Sequence, residues 1–126
     1  IWALFLMLHN SQGSPMDPRL PRPKKGIWVC RAGLLVVGCC IYDTDGPMLM
    51  AEHLVSNPHL SNRTRFAAME FALDALRAAA AAEGKYIVAH PSKKHLGRFL
   101  ARRGFVYKQV VTLVADPRLS VPERHR

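Results

Sequence analysis

Two arginines beside an alanine-rich helical stretch are the residues of this chain best suited to binding an anion. Arg63 and Arg65 stand where apolar residues begin to recur at helical spacing, just after the strand-like run Met48–Val55. The first backbone N–H groups of a helix carry partial positive charge, so cationic side chains beside them favour a phosphate. The segment Arg63–Ala68 therefore predicts a phosphate-binding helix start. The alternative is that both arginines are only solvated surface residues.

Glu52 and His53 are titratable residues within that strand-like run. A carboxylate or an imidazole at a cleft can accept a proton. Successive strand residues face opposite sides of a sheet, so we expect only one of the two to face a cleft, and Glu52 is preferred. The alternative is that Glu52 is a charged residue at a strand edge with no catalytic role.

Composition and charge indicate one small basic domain. The 126 residues, 49% of them hydrophobic, suffice for one core, so residues 1–126 are predicted to form a single domain. Lys and Arg number 18 against 9 Asp and Glu, and the formal net charge of +9 favours phosphates, nucleic acid or an acidic protein as partners. The excess lies in a proline-rich arm at residues 10–25, in the segment Lys93–Arg103, and in a tail at residues 116–126.

The cysteines and the apolar N-terminal run argue against a metal centre, a disulfide framework and a membrane span. Cys30, Cys39 and Cys40 lie in apolar strand-like runs without C-x-x-C spacing, which favours a reducing, cytoplasmic compartment and predicts no metal ligands. Ile1–Leu8 is far shorter than the ~20 apolar residues that cross a bilayer. We expect a short helix packed on the domain.

The remaining elements are predicted from periodicity and turn residues. In order they are strands at Gly26–Arg31, Leu34–Tyr42 and Met48–Val55, a long helix ending at Gly84, a strand at Lys85–Ala89, a helix capped by Ser92 and ending at Gly104, and a strand at Phe105–Ala115. The sequence of helix, three strands, long helix, strand, helix and strand predicts a mixed α/β fold with one mostly antiparallel sheet. The apolar stripe predicted on the long helix comprises Phe66, Met69, Leu73, Leu76 and Ala80.

Over roughly residues 26–115 the chain resembles the GCN5-related N-acetyltransferase superfamily. The likeness lies in the element order, in the placement of the long helix, and in the segment Leu-Ala-Arg-Arg-Gly-Phe that ends at Phe105. It implies acetyl-coenzyme A as cofactor, and it implies that the pyrophosphate of the cofactor lies on a loop of the pattern Gln/Arg-x-x-Gly-x-Gly/Ala. Arg63 matches the first position of this pattern, Phe66 its first glycine and Ala68 its last small residue. It also implies that the strands at Val55 and Tyr86 splay to admit the pantetheine arm. The cofactor-binding residues so implied are Val55, Arg63, Arg65, Phe66, Ala67, Ala68 and Lys93.

The chain departs from the family's pattern at two positions. Phe66 places a benzyl group where glycine would let a phosphate approach the backbone. Leu100 stands where many members carry a tyrosine that protonates the leaving thiolate, and leucine cannot donate a proton. Ser92, His95 and Tyr107 are the alternatives for that role.

Three functions follow as expectations. The first is acetyl-coenzyme A-dependent acetylation of a small-molecule or protein amine, with Glu52 as the base. The second is a non-catalytic member of the same fold that grips an acidic protein partner; compact members of this kind look like those of bacteriophages, where a virion or assembly role is implied. The third is non-specific nucleic-acid binding through Lys93, Lys94, Arg98, Arg102 and Arg103.

Overall fold

A computed structural model describes residues 1–12, 16, 19, 22–91 and 93–106. Its elements are α1 (Trp2–Asn10), β1 (Lys25–Arg31), β2 (Leu34–Asp43), β3 (Met48–Ser56), α2 (Asn62–Glu83), β4 (Tyr86–Ala89) and α3 (Lys94–Ala101). Phe105 and Val106, expected to open a last strand, have no regular secondary structure. The rest of that expected strand and the tail at residues 116–126 lie outside the described residues.

The four described strands form one sheet in the order β1-β2-β3-β4. The first two pairs are antiparallel, and β4 joins β3 in parallel because α2 carries the chain back across the sheet. Ala32 and Gly33 connect β1 to β2 with φ angles of 50° and 78°, the left-handed geometry of a tight hairpin turn. The predicted mixed, mostly antiparallel sheet is confirmed.

Helix α2 begins and ends at residues suited to those positions. The Ser61 hydroxyl accepts a hydrogen bond from the Thr64 N–H (3.2 Å), and Gly84 closes the helix in the left-handed conformation (φ 64°), as predicted. The buried residues of the helix are Ala68, Ala72, Leu73, Leu76 and Ala80. The prediction that Phe66 belongs to the buried stripe was wrong: it is 51% exposed, because its ring borders an open cleft, where it lies beside Phe99 (ring centroids 5.5 Å apart).

The helices cover opposite faces of the sheet. Helices α2 and α3 pack together on one face, where Leu73 and Phe99 share a core with residues of β2 and β3. Helix α1 covers the other face through the fully buried Phe5, which lies against Trp28 and the backbone of Gly38. The predicted packing of the N-terminal helix on the domain is thus confirmed. Within the described ranges, every helix falls short of the length and apolar character that crossing a bilayer demands.

The start of α3 differs from the prediction, and its end is tied to α2. Lys93 is the N-cap residue and makes no side-chain capping bond, whereas Ser92 lies outside the described residues. After the helix, the Arg103 guanidinium lies 3.8 Å from the centre of the Phe99 ring and pairs with Glu70 of α2. This contact holds α3 beside α2 and so fixes one wall of the cleft described next.

Candidate active-site cleft

The gap between β3 and β4 is the central feature of the candidate site. Their parallel pairing ends at Ala51 and Ala89, after which β3 continues to Ser56 while β4 stops. Pro91 follows closely and has no N–H to donate, which disfavours further pairing. The backbone of β3 beyond Ala51 therefore has no strand partner on this side among the described residues. The family resemblance implied a splay of these two strands; the structure shows that their pairing ends where β4 stops.

A cleft of about 980 Å³ occupies this gap, a volume typical of small-molecule sites. Arg65 and Phe66 of α2 line it on one face of the sheet, and His9 of α1 lines it on the other, together with Gln12. Because α1 and α2 cover opposite faces, the cleft is lined from both faces of the sheet beside the open edge of β3. Two ligands could therefore meet in it from opposite sides.

The charges along the cleft favour an anionic ligand. Its cationic lining residues are Arg65 and Lys93, and among the described residues the sole carboxylate in its wall is Glu52. The Arg65 Nε and Nη2 atoms donate to the Ser56 hydroxyl (3.1 and 2.8 Å), and the Lys93 ammonium donates to the Gln12 side chain (3.3 Å). Both cations are thus oriented by neutral partners and keep their full charge for a ligand.

The helix start lies about one turn earlier than the family resemblance implied. Ser61 engages the N–H groups of Thr64 and Arg65, which leaves those of Asn62 and Arg63 as the helix-start donors among the described residues. Asn62 lines the cleft.

The implied pyrophosphate site at Phe66–Ala68 needs correction for the same reason, because those backbone N–H groups lie inside the helical ladder. Ala68 is buried, and Arg63 and Ala67 are exposed outside the cleft wall. Val55, by contrast, lines the cleft, and its role in binding a cofactor stays a prediction.

A carboxylate and an imidazole lie in contact across the gap. Glu52 Oε1 is 2.6 Å from His90 Nδ1. Glu52 pairs in register with Cys40, whose side chain packs against α1, so the carboxylate points to the α1 face of the sheet. His90 comes directly after the last residue of β4. Sequence reasoning missed His90, because the partners are 38 residues apart and only the parallel register of β3 and β4 brings them together.

His53 also lines the cleft, so the expectation that only one of Glu52 and His53 would face it was wrong. The β2–β3 register shifts between Gly38 and Cys40, and His53 adopts a φ of 57°; this irregularity breaks the alternation of side chains. The His53 ring lies 5.2 Å from that of His9. Burial, and secondly the nearby His53, lower the pKa of His9 below its usual value.

The remaining candidate donors are placed as follows. Leu100 is buried and lines the cleft, and His95 lines it from an exposed position. Ser92 and Tyr107 lie outside the described residues. Burial raises the pKa of both Cys39 and Cys40 to about 12, which keeps them as thiols and unsuited to nucleophilic attack. Throughout the described ranges, no three His, Cys, Asp or Glu side chains are grouped closely enough to hold a metal ion.

Comparison with solved structures shows the same fold in a ribosomal-protein-alanine N-acetyltransferase from Brucella melitensis biovar Abortus 2308. The two structures superpose with a TM-score of 0.64 at 16% sequence identity, over 90% of each chain. No protein-family model matches the sequence, and neither does any curated protein. The likeness is therefore one of fold.

Proposed function

We propose that this chain is an acetyl-coenzyme A-dependent N-acetyltransferase. The observation that carries the proposal is the cleft between β3 and β4, which is lined from both faces of the sheet and bears cations on its wall. A transferase has to bring an acyl donor and an amine together, and a passage open to both faces of the sheet provides room for both. The fold shared with an N-acetyltransferase supports this interpretation.

The residues of the cleft suit the anionic donor. Arg65, Lys93 and the N–H groups of Asn62 and Arg63 would hold its phosphates. The unpaired edge of β3 through Val55 would accept hydrogen bonds from the amides of the pantetheine arm or donate to them. When bound, the donor supplies a thioester, whose acyl group is activated toward amines. Phe66 forms an apolar part of the wall beside this path.

For the acceptor we propose a primary amine of a protein or a small molecule, entering from the α1 face. The structurally similar transferase is described as acting on a ribosomal-protein alanine, so a short peptide with an N-terminal alanine is the first acceptor to assay. Glu52 lies on this face and provides the negative charge that attracts an ammonium group. His9 and Gln12 border the same entrance.

Thermal unfolding with and without acetyl-coenzyme A tests the donor site. A ligand selective for the folded state stabilises it by about 2.7 kcal/mol at about 100 times its Kd, so the melting temperature should rise by several degrees. Arg65→Gln and Lys93→Gln should each weaken binding severalfold. Arg77→Gln and Lys94→Gln are matched controls on the same helices whose side chains do not line the cleft, and both should bind as the parent chain does.

An unchanged melting temperature at saturating acetyl-coenzyme A would contradict the proposal and leave a non-catalytic interaction module with this fold. A rise that the control variants lose as readily as Arg65→Gln and Lys93→Gln would show that general basicity, and not the cleft, binds the ligand.

A further inference from the structure

We infer that His90, oriented by Glu52, is the group that accepts the proton of the attacking amine, which makes Glu52 a positioning residue. The inference rests on the proposed transferase function and names the catalytic residue within the same cleft. It differs from the sequence-based expectation, in which Glu52 itself was the base. The contact between Glu52 Oε1 and His90 Nδ1 carries it.

The hydrogen bond between the two residues sets which ring nitrogen holds the proton. An ionised carboxylate can only accept hydrogen bonds, so the bond at 2.6 Å requires the proton on Nδ1 of His90. A neutral imidazole protonated at Nδ1 has its lone pair on Nε2. In the neutral His90 ring, the Glu52 contact therefore leaves a proton acceptor, Nε2, that points away from the carboxylate.

Burial distinguishes the roles of the two side chains. The Glu52 side chain is 23% exposed and fixed on the sheet, whereas that of His90 is 49% exposed at the end of β4. A substrate amine thus reaches the imidazole more easily than the carboxylate. Pro91 restricts the backbone of His90 to extended conformations, which helps to hold the ring at the cleft.

The transfer step balances with these groups alone. The acceptor, which enters as an ammonium ion, first releases one proton to water. The lone pair so freed forms the new N–C bond to the thioester carbonyl carbon, and one N–H proton of the attacking amine passes to His90 Nε2. As the C–S bond breaks, its electron pair leaves with sulfur. The imidazolium, stabilised by the Glu52 carboxylate, then returns its proton to the thiolate or to water. No oxidant or further co-reactant is required.

Steady-state kinetics with acetyl-coenzyme A and an alanine-terminated peptide test the inference. His90→Gln should lower kcat by about 10²–10⁴-fold while the KM for acetyl-coenzyme A changes little. Glu52→Gln presents an amide that can donate to Nδ1 and so favours the tautomer without a lone pair on Nε2; it should lower kcat by a similar factor. His59→Gln is the control, since His59 is exposed and does not line the cleft. Added imidazole should partly restore the activity of His90→Ala, which a merely structural role would not allow.

The outcomes separate the two levels of the proposal. If the parent chain transfers acetyl groups and His90→Gln keeps its kcat within about threefold, His90 is not the base and the transferase proposal still stands. If the parent chain neither binds acetyl-coenzyme A nor turns it over, both fail. ¹⁵N NMR of the His90 ring needs no acceptor: a proton on Nδ1 is expected, and a neutral ring protonated at Nε2 would overturn the inference.

Discussion

Phe66 lies in the wall of the cleft, beside the path proposed for the acyl donor. Its ring is half exposed and forms part of the cleft wall, next to Phe99. The helix-start donors at Asn62 and Arg63 lie about one turn before Phe66 on the same helix. An apolar side chain in this position contributes contact area to a bound ligand.

We predict that Phe66→Ala weakens acetyl-coenzyme A binding about fivefold, because roughly 1 kcal/mol of apolar contact is lost. Calorimetric titration measures this Kd. Phe71→Ala is the matched control: Phe71 is 68% exposed on the same helix and is not part of the cleft wall, so its truncation should leave the Kd unchanged. Tighter binding by Phe66→Ala would instead show that the ring obstructs the donor.

His9 makes the stability of the fold depend on pH. Burial and the nearby His53 lower the pKa of His9 below 6.5, so at mildly acidic pH the unfolded chain binds a proton that the folded chain does not. The contribution of His9 to the free energy of unfolding is therefore fully present above pH 6.5, and it is lost as the pH falls toward the pKa of His9 in the folded chain. Urea unfolding at about pH 7.5 and about pH 5.5 should show this loss, and His9→Gln should show a smaller one. Equal losses in both chains would contradict this origin.

At the scale of elements, the contact between α1 and β2 depends on Gly38. A Cβ atom at this position would lie 2.6 Å from Phe5 Cδ2, and Phe5 cannot swing aside because it is fully buried against Trp28. Helix α1 and the strand backbone are therefore in close contact. The α1 side of the cleft depends on that contact, since α1 carries His9.

We predict that Gly38→Ala destabilises the fold by about 1–3 kcal/mol through overcrowding and loosens α1. Urea unfolding followed by the fluorescence of Trp2 and Trp28 measures both effects. Gly46→Ala is the control, because a Cβ there would meet nothing closer than Thr44 Oγ1 at 3.8 Å and should change stability by less than about 0.5 kcal/mol. A Gly38→Ala chain as stable as the control would show that α1 adjusts freely.

The elements could be predicted from the sequence because their signals are local. The turn at Ala32-Gly33, the helical spacing of α2 and its closure at Gly84 each depend on neighbouring residues. The first residue of α2 was harder to place. Ser61 is a favoured N-cap, yet matching the family's loop to Arg63–Ala68 set the start of the helix one turn too late.

The candidate site could not be assembled from the sequence, because it depends on pairing between distant segments. The contact of Glu52 with His90 follows from a parallel register that no local pattern specifies. The irregularity at His53 places a second side chain in the cleft where simple alternation would turn it away. Register and bulges arise from tertiary packing, so Glu52 was identified and its partner was not.

At the scale of the whole molecule, some of the positively charged side chains form ion pairs within the fold, and others lie exposed on the surface. Lys25 and Lys85 pair with Asp43, and Arg103 pairs with Glu70, so these cations stabilise contacts between elements. Within the segment expected to bind nucleic acid, Lys93 lines the cleft, and the other exposed cations are Lys94, Arg98 and Arg102. Binding of nucleic acid by these three residues stays a prediction.

The lining of the cleft from both faces of the sheet also affects the order in which the two substrates of the proposed reaction can bind. Acyl donor and acceptor would dock through separate openings, so neither has to leave before the other arrives, and a ternary complex can assemble in either sequence. The thiols of Cys39 and Cys40 are not ionised and therefore do not favour a covalent acyl-enzyme intermediate. Double-reciprocal plots of the initial rate against donor concentration, at several fixed acceptor concentrations, should accordingly intersect instead of running parallel. Intersecting lines indicate direct transfer within a ternary complex.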